Sequence, residues 1–131
     1  MKYTVYCDGA ARGNPGPAGS GYAVYSESGE LVHSKAIPLG YATNNIAEYT
    51  ALLEAAKYVK ALAPAQVDFL LDSELVVKQL NGQYKVRAEH LIPLYQELTL
   101  LLAGLNYKCV HIPRTKNKVA DKLANEGADQ V

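Results

Sequence analysis

Four carboxylates, Asp8, Glu48, Asp72 and Asp121, are the side chains of this 131-residue sequence best placed to do chemistry. From the local pattern Asp8 ends a strand, Glu48 lies in a helix, Asp72 ends another strand and Asp121 opens the last helix. In open α/β sheets ligand sites form beyond the carboxyl ends of strands, so Asp8 and Asp72 would share a crevice if their strands are neighbours. Carboxylates that close raise one another's pKa unless something positive sits between them. Hard oxygen donors without soft partners favour Mg2+, with Mn2+ a substitute, and two such ions roughly 3.5 to 4 Å apart support in-line displacement at a phosphodiester. Each acid also has a simpler reading. Asp8 precedes Gly9 and suits a turn, Asp72 precedes Ser73 and suits a helix start, Glu48 has capping-box spacing from Asn45, and Asp121 suits a solvated helix face.

The flanking residues favour the joint reading. They run Asp8-Gly9-Ala10-Ala11-Arg12-Gly13-Asn14-Pro15-Gly16-Pro17, then Thr43-Asn44-Asn45-Ile46-Ala47-Glu48, then Leu70-Leu71-Asp72-Ser73, and finally Arg114 to Asn117 to Ala120-Asp121-Lys122-Leu123-Ala124. Four motifs in this order are far more specific than one short pattern. Over essentially the whole chain they resemble type 1 ribonuclease H, and within it the compact, archaeal-like branch.

The resemblance implies a metal-dependent endonuclease that cuts the RNA strand of RNA/DNA hybrids, leaving 5′-phosphate and 3′-hydroxyl ends. It implies that Asp8 bridges two ions, that Glu48 and Asp72 complete the shell of one, and that Asp121 serves the other. Asn14, Asn44 and Asn45 match positions that contact the hybrid, Thr43 one that binds a DNA phosphate, and Gly9 and Gly13 permit close backbone approach. Specificity would rest on the RNA 2′-hydroxyl, with action on duplex RNA left open.

Departures are as informative as matches. Arg114-Thr115-Lys116-Asn117-Lys118 is short and lacks the histidine many relatives carry before the last acid, so Arg114 is assigned to the phosphate or the product. His111 is expected to be a packed or edge residue of a strand. There is no Trp and no basic protrusion, since Gln79 to Glu89 offers only Lys85, Arg87 and Tyr84. Tyr41 and Ala88 stand where relatives have an Arg and an Asn of a phosphate pocket. The rival from another class is a catalytically silent nucleic-acid-binding module of the same fold, against which the retention of all four acids weighs.

The elements that must position these residues follow from periodicity. Lys2 to Asp8, Gly19 to Ser26 and Leu31 to Pro38 alternate as strands of an antiparallel meander, with Glu27 to Glu30 as a hairpin turn. Asn45 to Leu62 carries a helical stripe of Ile46, Tyr49, Leu52, Leu53, Ala56 and Val59, with Glu48 off it. A buried strand over Gln66 to Leu71, helices from Ser73 to Leu80 and Leu91 to Leu102, a strand over Tyr107 to Ile112 and a helix over Asn117 to Ala128 complete the reading. Alternation of strands and helices implies parallel crossovers. The expected fold is ribonuclease H-like, α/β, with a mixed five-stranded sheet (three antiparallel strands, then two parallel) and helices on both faces.

Composition sets the remaining bounds. One domain over residues 1–131 is expected from length, and 49% hydrophobic with 20% charged residues is ordinary for a globular chain. No apolar run approaches the ~20 residues of a membrane span, and the alternating start lacks a signal peptide's block, so a cytoplasmic monomer is expected. Cys7 and Cys109 lie in apolar runs and are expected as buried thiols. With 13 basic and 13 acidic residues, only local grouping of charge can speak for nucleic acid.

Overall fold

Alternating apolar residues build the central strand, β1 (Lys2–Ala11), from which Tyr3, Val5 and Cys7 point into the core. The computed structural model describes all residues, 1–131. β1 pairs antiparallel with β2 (Gly16–Ser26), which pairs antiparallel with β3 (Leu31–Ala42). On its other side β1 pairs parallel with β4 (Gln66–Leu71), which pairs parallel with β5 (Tyr107–His111). The sheet order is therefore β3-β2-β1-β4-β5, the expected mixed arrangement.

The first three strands run further than expected. Pairs Ala11↔Ala18 and Gly16↔Ala42 carry the ladder through the Gly- and Pro-rich segment, which composition alone marks as a turn. Asp8 therefore does not end its strand. It sits opposite Gly21 of β2, one residue past Cys7↔Leu71, the last pair of the parallel ladder with β4. Asp72 follows Leu71, so both acids emerge where β1 and β4 part.

α1 (Asn44–Ala61) lies against β1 and β2, with α2 (Glu74–Leu80) and α3 (Ile92–Leu102) on the same side contributing to one core. Its cap is Thr43, whose hydroxyl accepts from the Ile46 N–H at 3.2 Å. Neither Asn45 nor Asn44 is the cap, so Glu48 lies in the second turn, and the capping-box explanation of this acid fails. Ala47, Ala51 and Ala55 are buried beside the expected stripe, because α1 is covered by the sheet and α3 together.

α4 (Lys118–Asp129) crosses the other face. Along β2 the Ser20 hydroxyl donates to the Ala47 carbonyl of α1 at 2.6 Å, whereas a Cβ on the next residue, Gly21, would stand 2.5 Å from the Ala124 nitrogen of α4. Helices thus cover both faces. The start of α4 is tied down by buried Asn117, whose Nδ2 donates to the Cys7 carbonyl at 2.9 Å. Cys7 and Cys109 are buried free thiols. His111, expected as a packed or edge residue, stands exposed as the last residue of the edge strand β5, although it shares a face with buried Cys109. No helix is long and apolar enough to cross a membrane.

Candidate active site

Four elements bring the acids to one cleft: Asp8 from β1, Glu48 from α1, Asp72 from the end of β4 and Asp121 from the first turn of α4. Gly9 makes the first junction possible. A Cβ there would lie 2.4 Å from the Glu48 nitrogen and 2.7 Å from the Ala47 Cβ, so only glycine lets α1 press its second turn onto β1 beside Asp8. The close approach expected of Gly9 is thus to the protein's own helix, although Gly9 also lines the cleft.

Burial and mutual repulsion dominate the electrostatics. Asp8, 7% exposed, has its pKa pushed up to about 8, first by burial and then by Asp72, with smaller contributions from Glu48 and Asp121. The Gly9 N–H, donating to Asp8 Oδ1 at 2.9 Å, opposes this shift. Glu48 is raised to about 7, mainly by burial and also by Asp72, against the pull of the nearby Ser73 hydroxyl. Its Oε2 is buried with no hydrogen-bond partner. An arrangement this costly needs a positive partner. Four hard oxygen donors, an orphaned carboxylate oxygen and no soft ligand suit a divalent cation of the magnesium type. The acids border the cleft without closing three ligands into a ready-made cage, so a cation there would take further oxygens from water or a substrate phosphate.

Arg114 reaches the cleft as well. It begins a short 3-10 turn (Arg114–Lys116), is 80% exposed, and holds one guanidinium nitrogen 3.7 Å from Asp121 Oδ1. Two lining residues escaped the sequence reading as site residues. Asn125 donates through Nδ2 to the Asp121 carbonyl at 2.9 Å and to its Oδ1 at 3.3 Å, and Arg12 contacts Asn125 and Asp129 across the cleft edge. The spacing of Asn125, four residues after Asp121, could have found it, since i and i+4 share a helix face. Arg12 comes from the other end of the chain, and no local pattern links it to α4.

The asparagines divide. Asn44 Oδ1 accepts from the Ala11 N–H at 2.9 Å, and Asn14 Oδ1 accepts from the Asn44 N–H at 3.1 Å. Both partners are backbone donors, which fixes each amide with its oxygen inward and leaves the NH2 group for another acceptor. Asn44 lines the cleft; Asn14 is joined to it only through that bond. Asn45 lies in the first turn of α1 outside the acid cleft, and the Thr43 hydroxyl is engaged in capping. Gly13, with φ of 103°, bends the loop after β1 in a left-handed conformation.

Residues 6–127 match the family model described as reverse transcriptase-like. A bifunctional protein of Mycobacterium tuberculosis is 41% identical over 98% of this chain and 36% of its own length. Ribonuclease HI of Halobacterium salinarum is 39% identical over 95% of this chain and 63% of its own. The chain thus spans about a third to two thirds of these curated relatives. Among solved structures, LC11-RNase H1 in complex with an RNA/DNA hybrid superposes with a TM-score of 0.92 at 38% identity, covering 98% of this chain and 97% of that one.

Proposed function

Because this chain belongs to the type 1 ribonuclease H family, we propose that it is a divalent-metal-dependent endonuclease hydrolysing the RNA strand of RNA/DNA hybrids. The observation that carries this reading is the meeting of four carboxylates from four elements in one cleft, with Asp8 pushed up to about 8 by burial and by its neighbours. Similarity to a relative solved with a hybrid supports the choice of substrate.

In this reading Asp8, Glu48, Asp72 and Asp121 would hold Mg2+, with Mn2+ as substitute. Bound there, the metal would supply the charge that activates a water and stabilises the departing oxygen in an in-line displacement. The remaining work falls to the chain itself. The Gly9 N–H fixes the Asp8 carboxylate, Asn125 fixes Asp121, and the buried flank of Glu48 keeps bulk water from one side. Arg114, reaching out of the turn before α4, meets the phosphate from the solvent side. The free amide of Asn44, held at the cleft edge, reads the 2′-hydroxyl of the RNA, with Asn14 steadying it. Asn45 and Thr43 bear on the flanking nucleotides, Thr43 on a DNA phosphate. Products would carry 5′-phosphate and 3′-hydroxyl ends, and no covalent enzyme intermediate is required, so Ser73 and Cys7 need not be nucleophiles.

The test is cleavage of a hybrid labelled separately on each strand, beside duplex DNA of the same sequence. The RNA strand should be cut only with added Mg2+ or Mn2+, and cutting should stop with a chelator. Comparable cutting of duplex DNA, or metal-independent cutting of the RNA, would overturn the reading.

A further inference from the structure

Arg12 stands in the wall of the acid cleft, yet it makes no ion pair with any of the four acids. Its guanidinium forks onto α4 instead. One nitrogen pairs with Asp129, the last residue of that helix, and the other donates to the Asn125 side-chain oxygen at 3.2 Å and to the Asn125 carbonyl at 3.4 Å. The backbone of Arg12 is held as well. Its N–H donates to the Pro17 carbonyl at 2.9 Å, and a Cβ at Gly16 would stand 2.1 Å from the Arg12 carbonyl oxygen, so the turn between β1 and β2 closes against this residue.

The contact to Asn125 decides what Asn125 can do for Asp121. A side-chain amide has one accepting and one donating end, whereas a guanidinium only donates. Arg12 therefore takes the oxygen end and leaves the NH2 end for Asp121. That end donates to the Asp121 carbonyl at 2.9 Å and to Asp121 Oδ1 at 3.3 Å. Reversed, the amide would set its oxygen against two acceptors. Little else holds Asp121: its carboxylate accepts no other hydrogen bond, its side chain is 34% exposed, and the Arg114 nitrogen 3.7 Å away belongs to a side chain that is mostly in solvent.

We propose that Arg12 is a positioning residue for the metal site, which fixes the orientation of the Asn125 amide and so holds the Asp121 carboxylate ready for a cation before any substrate arrives. The proposal rests on the metal-holding reading of the four acids. It makes a prediction of opposite sign to that from charge alone. A guanidinium near a cation site repels the cation, so on Coulombic grounds its removal should tighten metal binding. Positioning requires that its removal weaken it.

The experiment is calorimetric titration with Mn2+, without nucleic acid, of the wild type, Arg12→Ala, Asn125→Ala and the double variant, with melting followed in parallel. Arg12→Ala should bind Mn2+ about ten-fold more weakly, the low end of what losing a group that orients a metal ligand costs. The double variant should be no weaker than Asn125→Ala, because the two residues act in series. Melting temperatures should stay near wild type, since the Arg12–Asp129 pair is exposed. On a hybrid, the Mn2+ concentration for half-maximal cleavage should rise with the binding constant while KM for the hybrid holds steady. Unchanged or tighter Mn2+ binding by Arg12→Ala, additive losses in the double variant, or a raised KM with metal binding unchanged would overturn the proposal. Any of these, in a wild type that binds Mn2+ and cuts the hybrid, removes this proposal alone; a wild type that binds no Mn2+ removes the metal-holding reading with it.

Discussion

Arg114 and His111 test at single-residue resolution what takes the place of the missing loop histidine. Arg114 lies 3.7 Å from Asp121 yet is 80% exposed, so water weakens any contact it makes with a phosphate. Arg114→Ala should lower turnover by about ten-fold, near 1.4 kcal/mol in barrier terms, with the melting temperature unchanged. His111, expected as a packed or edge residue, is exposed at the sheet edge. His111→Ala should therefore change neither stability nor turnover appreciably, as exposed substitutions usually stay within about 0.5 kcal/mol. Both variants are to be assayed on one hybrid at saturating Mg2+. Loss of activity in the His111 variant alone, with its fold intact, would reverse the assignment.

At the scale of elements, the junction of β1 and α1 carries the site. Gly9→Ala would put a methyl 2.4 Å from the Glu48 nitrogen, where backbone cannot yield as a flexible side chain can. The variant should lose roughly 1 to 3 kcal/mol of stability, as overpacked sites do, and lose activity beyond what instability explains, because Glu48 is displaced from Asp8. Denaturant melts with kinetics on the folded fraction check this, and unchanged values would show that α1 is not held by this contact. The elements themselves were largely legible. Alternation gave β1, the short apolar run from Gln66 to Leu71 gave β4, and the stripe from Tyr49 to Val59 gave α1. What was not legible depended on partners far along the chain. Gly16 and Pro17 look like turn residues, and only pairing with Tyr41 and Ala42 makes them strand. Likewise Thr43, not Asn45, caps α1, a choice between adjacent good caps that sequence preferences do not decide.

At the scale of the molecule, the acids trade stability for chemistry. With Asp8 raised from 3.8 to about 8, the folded chain holds a proton that the unfolded chain has already released. Stability from that group is complete below the unfolded pKa and is lost as pH rises through about 8. Glu48, raised to about 7, acts in the same direction. The metal-free melting temperature should accordingly fall between pH 4 and pH 8 on account of these groups, and Mg2+ should restore more of it at pH 8 than at pH 5. Calorimetry with and without the ion decides it, and a pH-independent effect of Mg2+ would contradict the proposed ligands. The meeting of the four acids was foreseeable from their flanking motifs. Asn125 and Arg12 were not, since Arg12 reaches Asn125 only because α4 folds back across β1 and β2.

The central claim is that the four carboxylates act as one metal-holding group on RNA paired with DNA, and Asp8→Asn tests it most directly. The substitution keeps the shape of the side chain and removes its charge. Rates of RNA-strand cleavage should be measured for the wild type and the variant on one labelled hybrid at saturating Mg2+, with melting followed in parallel. Abolished cleavage, together with a metal-free melting temperature at pH 8 equal to or above that of the wild type, is the expected result. Near-normal cleavage by the folded variant would contradict the account.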